Sequence, residues 1–519
     1  MYITEEMRMN PFTPEFYHRH YQKPVVEMSD DEMSPEYVIA LINDYESSDN
    51  RQYMKTAEQY YHDRHDILDQ KRMVIGRASD NTPALMESKV LSNNHLVHNF
   101  FRKLTRQKLG YLLSNAFSFQ PDTHEVDRCK SYFQELNKYY DLQLYQTIKS
   151  AARDGIVDGI GWIYIYYDEE GKMKFKHIPA TEVIPEWVDI DHKDLRSVIR
   201  KYKMKEFKNN RFEEVTYIEH YTKKGVIKYK CGTASITDAN SLSLEVVQGL
   251  TPYFKIKTED QEIDAPWTDI PFIPFKYDSD EYSLLRRIKS LIDDYDRKTS
   301  DISNMIDDMP NSVTVVKNYD GASKEEFVQN KNQYRTIFVQ GDGDASTLST
   351  PTNINELDIH LKRLREDIYE FGQGVNTADK DIRDTSGVAL RFLYGDLDMD
   401  CANWGDELKW SLYLMNWFIS RDILLNTGED YSDVNYDIVF NVSMIVNESE
   451  VINNVLQSKG IVSEQTLLSN HPWVLDADHE LRQIEEDDER SLTKLQEQED
   501  IMKTEEGEKD GSVRDDTVA

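Results

Sequence analysis

Two stretches in the second half of the chain repeat apolar residues at the spacing of an α-helix. Over residues 283–309 the repeat is every seven residues, and over 357–375 the steps alternate between four and three. Positions three and four apart share one face of a helix, so each stretch predicts a long helix with a single apolar seam. The first seam contains Leu284, Ile288, Leu291, Tyr295, Ile302, Met305 and Met309, and the second contains Leu357, Leu361, Leu364, Ile368, Phe371 and Val375.

A short insert separates these two helices. Pro310 is predicted to end the first helix, because proline cannot continue the helical hydrogen bonding. Residues 312–316 predict a strand, residues from Ser323 a helix, 335–340 a second strand and 341–353 a loop. The insert is therefore expected to be a compact mixed unit.

The second helix runs into a charged connector, VNTADKDIRDTSGVALRFLYGDL, at residues 375–397. Thr385, Ser386 and Gly387 predict the start of a third helix, since hydroxyl side chains cap free backbone N–H groups. Apolar residues continue to Leu425, and Gly395 and Gly405 are the predicted bend points. The triplet Asn426, Thr427 and Gly428 predicts the end of this helix, and residues 436–446 predict a strand.

The first half of the chain mixes the two periodicities. Helices are predicted over 33–48, starting at Ser34 and Pro35, and over 51–75, 93–113 and 126–155. The alternating run at 161–178 predicts a β-hairpin that turns at Asp168–Gly171, and residues 196–258 predict further short strands. The fold class is therefore expected to be α+β with an antiparallel sheet.

The end of the chain is acidic. Two or three short helices are predicted up to about residue 490. Residues 484–519 hold 14 acidic and 5 basic residues with few apolar ones, a composition that cannot bury enough surface to fold alone. The tail is therefore predicted to be disordered.

Charge and cysteine content narrow the function classes. The chain has 95 acidic and 61 basic residues and a net charge of -34, which favours solubility and disfavours ordinary DNA binding. Three widely separated cysteines predict neither a disulfide framework nor a zinc site. The first residues resemble no signal peptide, and no apolar run is long enough to span a bilayer, so no membrane association is expected.

Common catalytic motifs are missing from the sequence. There is no phosphate-binding G-x-x-x-x-G-K-[ST], no G-x-S-x-G and no H-E-x-x-H, so no catalytic residue, metal or cofactor is predicted. Three groups could imitate a metal site, and each is interpreted as solvated surface instead. They are His62, Asp63 and His65; Asp396, Asp398, Asp400 and Asp406; and Asp293, Asp294, Asp296, Asp301, Asp307 and Asp308.

Four stretches, in this order along the chain, resemble portal proteins of tailed double-stranded DNA bacteriophages. The resemblance is strongest to the type found in long non-contractile-tailed phages of Gram-positive hosts. The stretches are NNHLVHNFFRKLTRQKLGYLLSNAFSF, PFIPFKYDSDEYSLLRRIKSLIDDYDRKTSDISNMIDDM, DTSGVALRFLYGDLD and GIVSEQTLLSNHPWVLDADHELRQIEEDDE.

The resemblance implies a division of the chain into the parts of a portal subunit. In this scheme an α+β wing carries two stem helices that flank a small clip, and a loop between helices faces the tunnel. The implied parts are an N-terminal segment (1–50), the wing (51–281), stem helix 1 (282–310), the clip (311–353), stem helix 2 (354–374), the tunnel loop (375–386), a long bent helix and strand completing the wing (387–446), a helical crown (447–490) and the acidic tail (491–519).

The family also implies a function and partners. Portal subunits form a ring, usually of twelve copies, at one capsid vertex of the virion, which is assembled in the host cytoplasm. Double-stranded DNA passes through the ring during packaging, is retained there and later leaves through it. The implied partners are the terminase large subunit, the head-completion adaptor, and the major capsid and scaffolding proteins.

Two sets of residues are expected to carry this function. The tunnel loop is expected to meet DNA without gripping it, and the seams of the stem helices are expected to pack within and between subunits. The loop residues are Asn376, Thr377, Asp379, Lys380, Asp381, Arg383 and Asp384, followed by the helix start at Thr385, Ser386 and Gly387. The packing residues are Ile288, Leu291, Tyr295, Ile302, Leu357, Leu361, Leu364 and Ile368. Two alternatives stay open at this point, a virion scaffold or adaptor and a metal-dependent nuclease built on the aspartates.

Overall fold

A computed structural model gives the fold. It describes residues 33–77, 82–88, 91–121, 126–208, 210–231, 244–257, 262–265, 267, 269–308, 312–317, 344–349, 354–377, 392–442, 448–469, 471, 473–474, 480–487 and 490.

Ten helices are labelled in these residues. They are α1 (Pro35–Ser47), α2 (Asp49–Tyr61), α3 (Phe100–Leu113), α4 (Val126–Leu136), α5 (Leu142–Asp158), α6 (Leu285–Asp307), α7 (Ile354–Phe371), α8 (Gly395–Thr427), α9 (Glu448–Gln457) and α10 (Glu464–Ser469). Short 3-10 turns lie at Asp66–Asp69 and Ala180–Glu182, and residues 480–487 are also helical.

The described strands are all antiparallel to their partners. They are β1 (Met73–Arg77), β2 (Pro83–Glu87), β3 (Ser118–Pro121), β4 (Ile160–Tyr167), β5 (Met173–Ile178), β6 (Val183–Trp187), β7 (Leu195–Lys208), β8 (Arg211–Thr222), β9 (Gly225–Cys231), β10 (Leu244–Thr251), β11 (Phe254–Lys257), β12 (Glu262–Ala265), β13 (Phe272–Lys276), β14 (Ser312–Lys317), β15 (Asp344–Ser349) and β16 (Tyr436–Val439).

Two sheets carry the α+β part. One has five strands in the order β10-β9-β8-β7-β6, and the other has three in the order β13-β4-β5. The remaining pairs are the two-stranded ribbons β1-β2, β11-β12, β14-β15 and β16-β3. The predicted α+β class and the predicted hairpin at 161–178 are both confirmed, and the Asp168 carboxylate holds the turn by accepting from the Glu170 and Lys172 N–H groups.

The chain divides into two units. The first contains residues 1–376 and 395–443 and therefore both sheets and helices α1 to α8. The second contains residues 377–394 and 444–519, in which helices α9, α10 and 480–487 are described. The predicted short helices before residue 490 are thus confirmed, whereas the predicted disorder of 491–519 lies outside the described residues.

Local sequence signals explain where several helices begin. Ser34 accepts from the Tyr37 N–H ahead of Pro35, as predicted, and Ser48 accepts from the Arg51 N–H. Asp141 accepts from the Leu144 N–H at 2.8 Å. Each side chain satisfies one of the free N–H groups at a helix start.

The Asp141 cap also explains a wrong prediction. A single helix was expected over 126–155, but the chain forms α4 and α5 with a turn at 137–141 between them. A second helix was expected over 51–75, but α2 ends at Tyr61 and a β-strand begins at Met73. In both cases a turn interrupts the predicted helix, at 137–141 and at 62–63, where Asp63 has a left-handed φ of +62°.

The insert between α6 and α7 departs from its prediction at one place. Ser312–Lys317 is a strand, as predicted, but its partner Asp344–Ser349 falls in the predicted loop. Pairing with a neighbouring strand outweighs the loop-favouring composition of this segment. The helix expected from Ser323, the strand expected at 335–340 and the helix end expected at Pro310 lie outside the described residues.

The main core lies between helices α3, α5 and α8 and the three-stranded sheet. Phe101, Ile148 and Phe275 are buried there with Leu412 and Phe418 of α8. Helix α8 is continuous through Gly405 and ends before Gly428, whose φ is +80°, as the Asn426–Gly428 signal predicts. Of the strand predicted over 436–446, Tyr436–Val439 is formed and pairs with β3, the described residues 440–442 are not strand, and 443–446 lie outside the described residues.

One buried carboxyl group at the end of α5 predicts a pH effect on stability. Asp158 is buried, no described N–H or O–H donor reaches its oxygens, and Glu58 and Asp154 lie near it. Burial, followed by the charges of these two neighbours, raises the pKa of Asp158 well above its usual value. The protonated form is therefore the one that the fold favours.

We expect Asp158→Asn to stabilise the protein at neutral pH. A carboxyl whose folded pKa is raised contributes stability that is present below its unfolded pKa of about 3.9 and lost as pH rises. The amide has no proton to lose, so its advantage over the wild type should grow as pH rises from 4 to 8. Urea unfolding midpoints at pH 4, 6 and 8 measure this difference, and an advantage that does not change with pH would contradict the assignment.

Candidate functional site at the base of the helix pair

Helices α6 and α7 pack against each other in opposite directions. The His360 ring lies 3.1 Å from the Asp294 carboxylate near the middle of the pair. Ile288 lies beside Gly372 at the end where α6 begins and α7 ends, which we call the base of the pair. Both predicted long helices are therefore present, and they lie side by side in one chain.

The predicted packing residues divide into two groups. Ile288, Leu364 and Ile368 are buried within their own chain. The others, Leu291, Tyr295, Ile302, Leu357 and Leu361, are partly exposed. Phe371, predicted on the same seam, is 56% exposed because α7 ends there and the chain turns at Gly372.

The other buried face of α6 is polar. Asp296, Ser300, Asn304 and Asp308 recur every four residues, and the first three are buried. Their side chains accept the backbone N–H groups of alternate residues on an extended segment, 92–98. The four bonds are Ser92 to Asp308 (2.8 Å), Asn94 to Asn304 (2.6 Å), Leu96 to Ser300 (2.9 Å) and His98 to Asp296 (2.8 Å).

The two periods match, which explains why this contact forms. Four residues of a helix rise about 6.0 Å, and two residues of a strand rise about 6.8 Å. Each step along the extended segment therefore meets the next turn of α6. This ladder corrects the predicted helix over 93–113, which begins only at Phe100, after the Asn99 cap.

Asp296 sits at the end of the ladder between two histidines. Its carboxylate oxygens lie 2.6 Å from His65 Nδ1 and 2.9 Å from His98 Nδ1. Burial by itself would raise the pKa of Asp296, but the hydrogen bonds from His65 and His98 outweigh it and lower that pKa. The prediction of solvated surface is therefore wrong for Asp296, which is 1% exposed, and for His65, which is 2% exposed.

We expect Asp296→Asn to lower the free energy of unfolding by about 2 kcal/mol at pH 7, the scale of hydrogen bonds to a charged group. A carboxyl whose folded pKa is lowered contributes stability present above its unfolded pKa of about 3.9 and lost as pH falls. The difference between wild type and variant should therefore be constant from pH 8 to about 5 and shrink below 4. Urea titrations across this range check it, with exposed Asp301→Asn on the same helix as the control, and an unchanged difference at pH 3 would refute it.

The chain leaves α7 through a tightly packed turn. Gln373 has a left-handed φ of +48°, and a Cβ on Gly374 would lie 2.2 Å from Leu104 Cδ2 of α3. The Gln107 side chain then holds Val375 by both backbone groups, donating to its carbonyl at 3.0 Å and accepting its N–H at 2.9 Å. The backbone direction at the start of the predicted tunnel loop is thus fixed by α3.

A buried charge network joins this turn to the helix that follows the loop. Lys108 of α3 donates to the Gln373 carbonyl at 2.9 Å and to Asp400 of α8 at 2.5 Å. Arg287 of α6 donates to the Gln373 side chain at 2.6 Å and to Asp400 at 3.1 Å. The Tyr277 hydroxyl also donates to Asp400, at 2.5 Å.

The network is arranged around a fully buried lysine. Lys108 is 0% exposed, and burial lowers the pKa of its ammonium group while Asp400 opposes this shift. Burial, with Asp400 beside it, raises the pKa of Tyr277 well above its usual value, so that hydroxyl stays a donor. One turn further along α3, Tyr111 donates to Asp398 at 2.9 Å. Helix α3 therefore holds the chain on both sides of residues 377–394.

The structure places only two of the predicted loop residues. Asn376 is half-buried and lies 3.4 Å from Arg365, and Thr377 is exposed. The others lie outside the described residues: Asp379, Lys380, Asp381, Arg383, Asp384, Thr385, Ser386 and Gly387.

Sequence reasoning missed the residues that hold the loop base. Gln107, Lys108 and Arg287 were not singled out. Asp400 was named only in a group interpreted as solvated surface, although it is 6% exposed. One signal was present. Leu104, Lys108 and Leu112 are four residues apart and therefore share one face of α3. A lysine on an apolar helix face that becomes buried needs a hydrogen-bonded, oppositely charged partner.

The described residues give no sign of a metal centre or a membrane helix. In this part of the chain, no three His, Cys, Asp or Glu side chains are arranged to hold an ion. None of the described helices is long and apolar enough to cross a bilayer. Cys129, Cys231 and Cys401 are buried free thiols.

Comparison with known proteins agrees with the resemblance. The family model described as phage portal protein, SPP1 Gp6-like, matches residues 42–494. The portal protein of Bacillus phage SPP1 is 29% identical over 402 residues, which cover 76% of each chain. The portal protein of Clostridium phage phiCD119 is 25% identical over 446 residues, covering 82% of this chain and 91% of that relative. Since the family model spans nearly all of the chain, including both long helices and the loop between α7 and α8, this chain belongs to the SPP1 Gp6-like family of phage portal proteins.

Proposed function

We propose that this portal subunit assembles into a ring, usually of twelve copies, through which double-stranded DNA is packaged, retained and ejected. The observation that carries the proposal is the anchoring of the chain on both sides of residues 377–394 to one helix, α3. A loop fixed at both ends can keep a constant position in every copy of a ring. Membership in the portal family supports the same assignment.

The parts of the chain are assigned roles in this ring. Helices α6 and α7 form the stem, and the strands β14 and β15 belong to the clip. The two sheets with α2 to α5 and α8 form the wing, and α1 belongs to the N-terminal segment. The helices after residue 447 form the crown. The partly exposed seam residues Leu291, Tyr295, Ile302, Leu357 and Leu361 are available to pack against neighbouring subunits.

The tunnel loop is assigned to contact DNA weakly. Duplex DNA carries one negative charge per about 1.7 Å of its axis, so many cationic contacts would hold it in place. With a charge of -34 on each copy, the ring as a whole is acidic, and within the loop Lys380 and Arg383 are balanced by Asp379, Asp381 and Asp384. The loop can therefore guide DNA without binding it tightly.

The proposed partners follow from the position of each part. The clip meets the terminase large subunit during packaging and the head-completion adaptor afterwards. The wing and crown meet the major capsid and scaffolding proteins at the portal vertex of the virion, after assembly in the host cytoplasm. No catalytic residue, metal or cofactor is assigned, so the energy for DNA movement is assigned to the terminase.

We expect the purified chain to form annular particles at micromolar concentration. Heterologous contacts between identical chains close into a ring when the rotation between neighbours is fixed. Negative-stain electron microscopy and mass photometry measure the shape and the copy number. A chain that stays single under these conditions, or that cuts DNA when magnesium is added, would contradict the proposal.

A further inference from the structure

One face of the five-stranded sheet is only partly covered by helix α1. Val38 and Ile42 of α1 are 0% and 1% exposed and pack against Ile199, Ile218 and Tyr229 on that face. Strands β7 and β8 continue past this contact as a hairpin. Strand β9 pairs with β8 only from Thr216 to Thr222, so among the described strands the hairpin end has no third strand.

The uncovered end of this face carries exposed apolar residues and two lysines, with one carboxylate, Glu214, opposite Lys205 in the register. Strand register places Lys203, Lys205 and Phe207 on the same face as Ile199, because side chains on one face recur every second residue. Phe207 pairs with Phe212, and Val246 on β10 pairs with Tyr229. We call Lys203, Lys205, Phe207, Phe212 and Val246 the open patch.

The apolar side chains of the open patch are unusually exposed to solvent. Phe207, Phe212 and Val246 are 63%, 71% and 52% exposed, and the centroids of the two phenyl rings lie 5.2 Å apart. Lys203 is exposed as well and lies 3.6 Å from Glu214. Adjacent exposed apolar side chains that form one patch are typical of a contact surface.

The described part of the chain begins beside this patch. Met33 packs against the same apolar cluster as α1, and its carbonyl accepts from the Tyr229 hydroxyl at 3.2 Å. From Tyr229, Lys203 is two strands across and two residues along, a distance of about 12 Å. The six residues before Met33 can span about 20 Å. Residues 1–32 can therefore reach every residue of the open patch.

Residues 1–32 match the patch in charge and in character. They contain seven acidic and three basic residues. Glu27, Asp30, Asp31 and Glu32 stand directly before Met33, within reach of Lys203 and Lys205. Further from Met33, the segment holds the aromatic residues Tyr2, Phe12, Phe16, Tyr17 and Tyr21, which suit the phenylalanine pair.

We propose that residues 1–32 pack across the open patch of the same chain. The carboxylates next to Met33 pair with Lys203 and Lys205, and an aromatic part of the segment covers Phe207 and Phe212. This contact completes the cover that α1 begins on that face of the sheet. It does not depend on ring assembly or on DNA.

Hydrogen exchange measured by mass spectrometry on the full chain tests the proposal. In the wild type, backbone amides within 1–32 should exchange more slowly than an unstructured chain. Lys203→Glu with Lys205→Glu should speed exchange there about tenfold, because a tenfold smaller equilibrium constant for packing makes exchange tenfold faster. Peptides from α1 should keep their protection, which shows that the sheet is still folded. The matched control, Lys172→Glu with Lys174→Glu, reverses two exposed lysines on the β4–β5 hairpin and should change nothing within 1–32.

A second reversal decides which chain supplies the segment. Glu27→Lys, Asp30→Lys, Asp31→Lys and Glu32→Lys together should also speed exchange, and combining them with the lysine reversals in one chain should restore protection. Mixing the two reversed proteins should not restore it. Recovery in the mixture would mean that a neighbouring copy supplies the segment, and unprotected 1–32 in the wild type would mean that nothing packs there; either result overturns the proposal.

Discussion

Replacing Asp400 by alanine is expected to lower the free energy of unfolding by about 3–5 kcal/mol, the cost of removing one partner from a buried ion pair. The variant leaves Lys108 without a carboxylate at a site that is 0% exposed. It also removes the acceptor for Tyr277 and one acceptor for Arg287. Urea unfolding followed by tryptophan fluorescence measures the loss, because Trp404 is buried one turn away on α8.

Two comparisons separate the network from a general weakening of α8. Asp396→Ala removes an exposed carboxylate one turn earlier on the same helix and should change the free energy of unfolding by less than about 0.5 kcal/mol. Lys108→Met combined with Asp400→Ala removes both charges of the pair and should recover part of the loss. Equal losses for Asp396→Ala and Asp400→Ala would show that the network does not hold the loop base.

Reversing both cations of the tunnel loop is expected to reduce DNA packaging about tenfold while rings still form, since it removes the two cations with which each subunit can guide a duplex. Lys380→Glu with Arg383→Glu turns a balanced loop into a purely acidic one. With up to twelve such loops around one duplex, the added repulsion acts on every turn of DNA that passes. The measurement is DNase-protected DNA per ring in a packaging reaction, with ring formation checked by electron microscopy.

The control for this experiment is a charge reversal of equal size far from the loop. Lys172→Glu with Lys174→Glu changes two exposed lysines on the β4–β5 hairpin and leaves the total charge equal to that of the loop variant. Packaging should then stay at the wild-type level. If both variants lose packaging equally, net charge is responsible and not the loop. If neither loses it, the loop has no role in guiding DNA.

Features that depend on neighbours in sequence could be predicted from the sequence. The seams of α6 and α7 follow from apolar residues three and four apart, and the helix starts at Ser34 and the turn at Asp168 follow from side chains that bond to their own backbone. The family resemblance came from four ordered stretches and is confirmed. These signals are local, so a linear reading of the residues finds them.

The structure was needed wherever a polar residue has a distant partner. Residues 93–98 were predicted as the start of a helix over 93–113, but α6, about two hundred residues away, offers hydrogen-bond acceptors at the period of a strand. Likewise, Asp400 looks like one of several surface aspartates until folding brings Lys108, Arg287 and Tyr277 around it. The same local sequence can place a charged side chain in solvent or in the core. Burial occurs only where the tertiary fold brings a partner whose interaction offsets the free energy of desolvation.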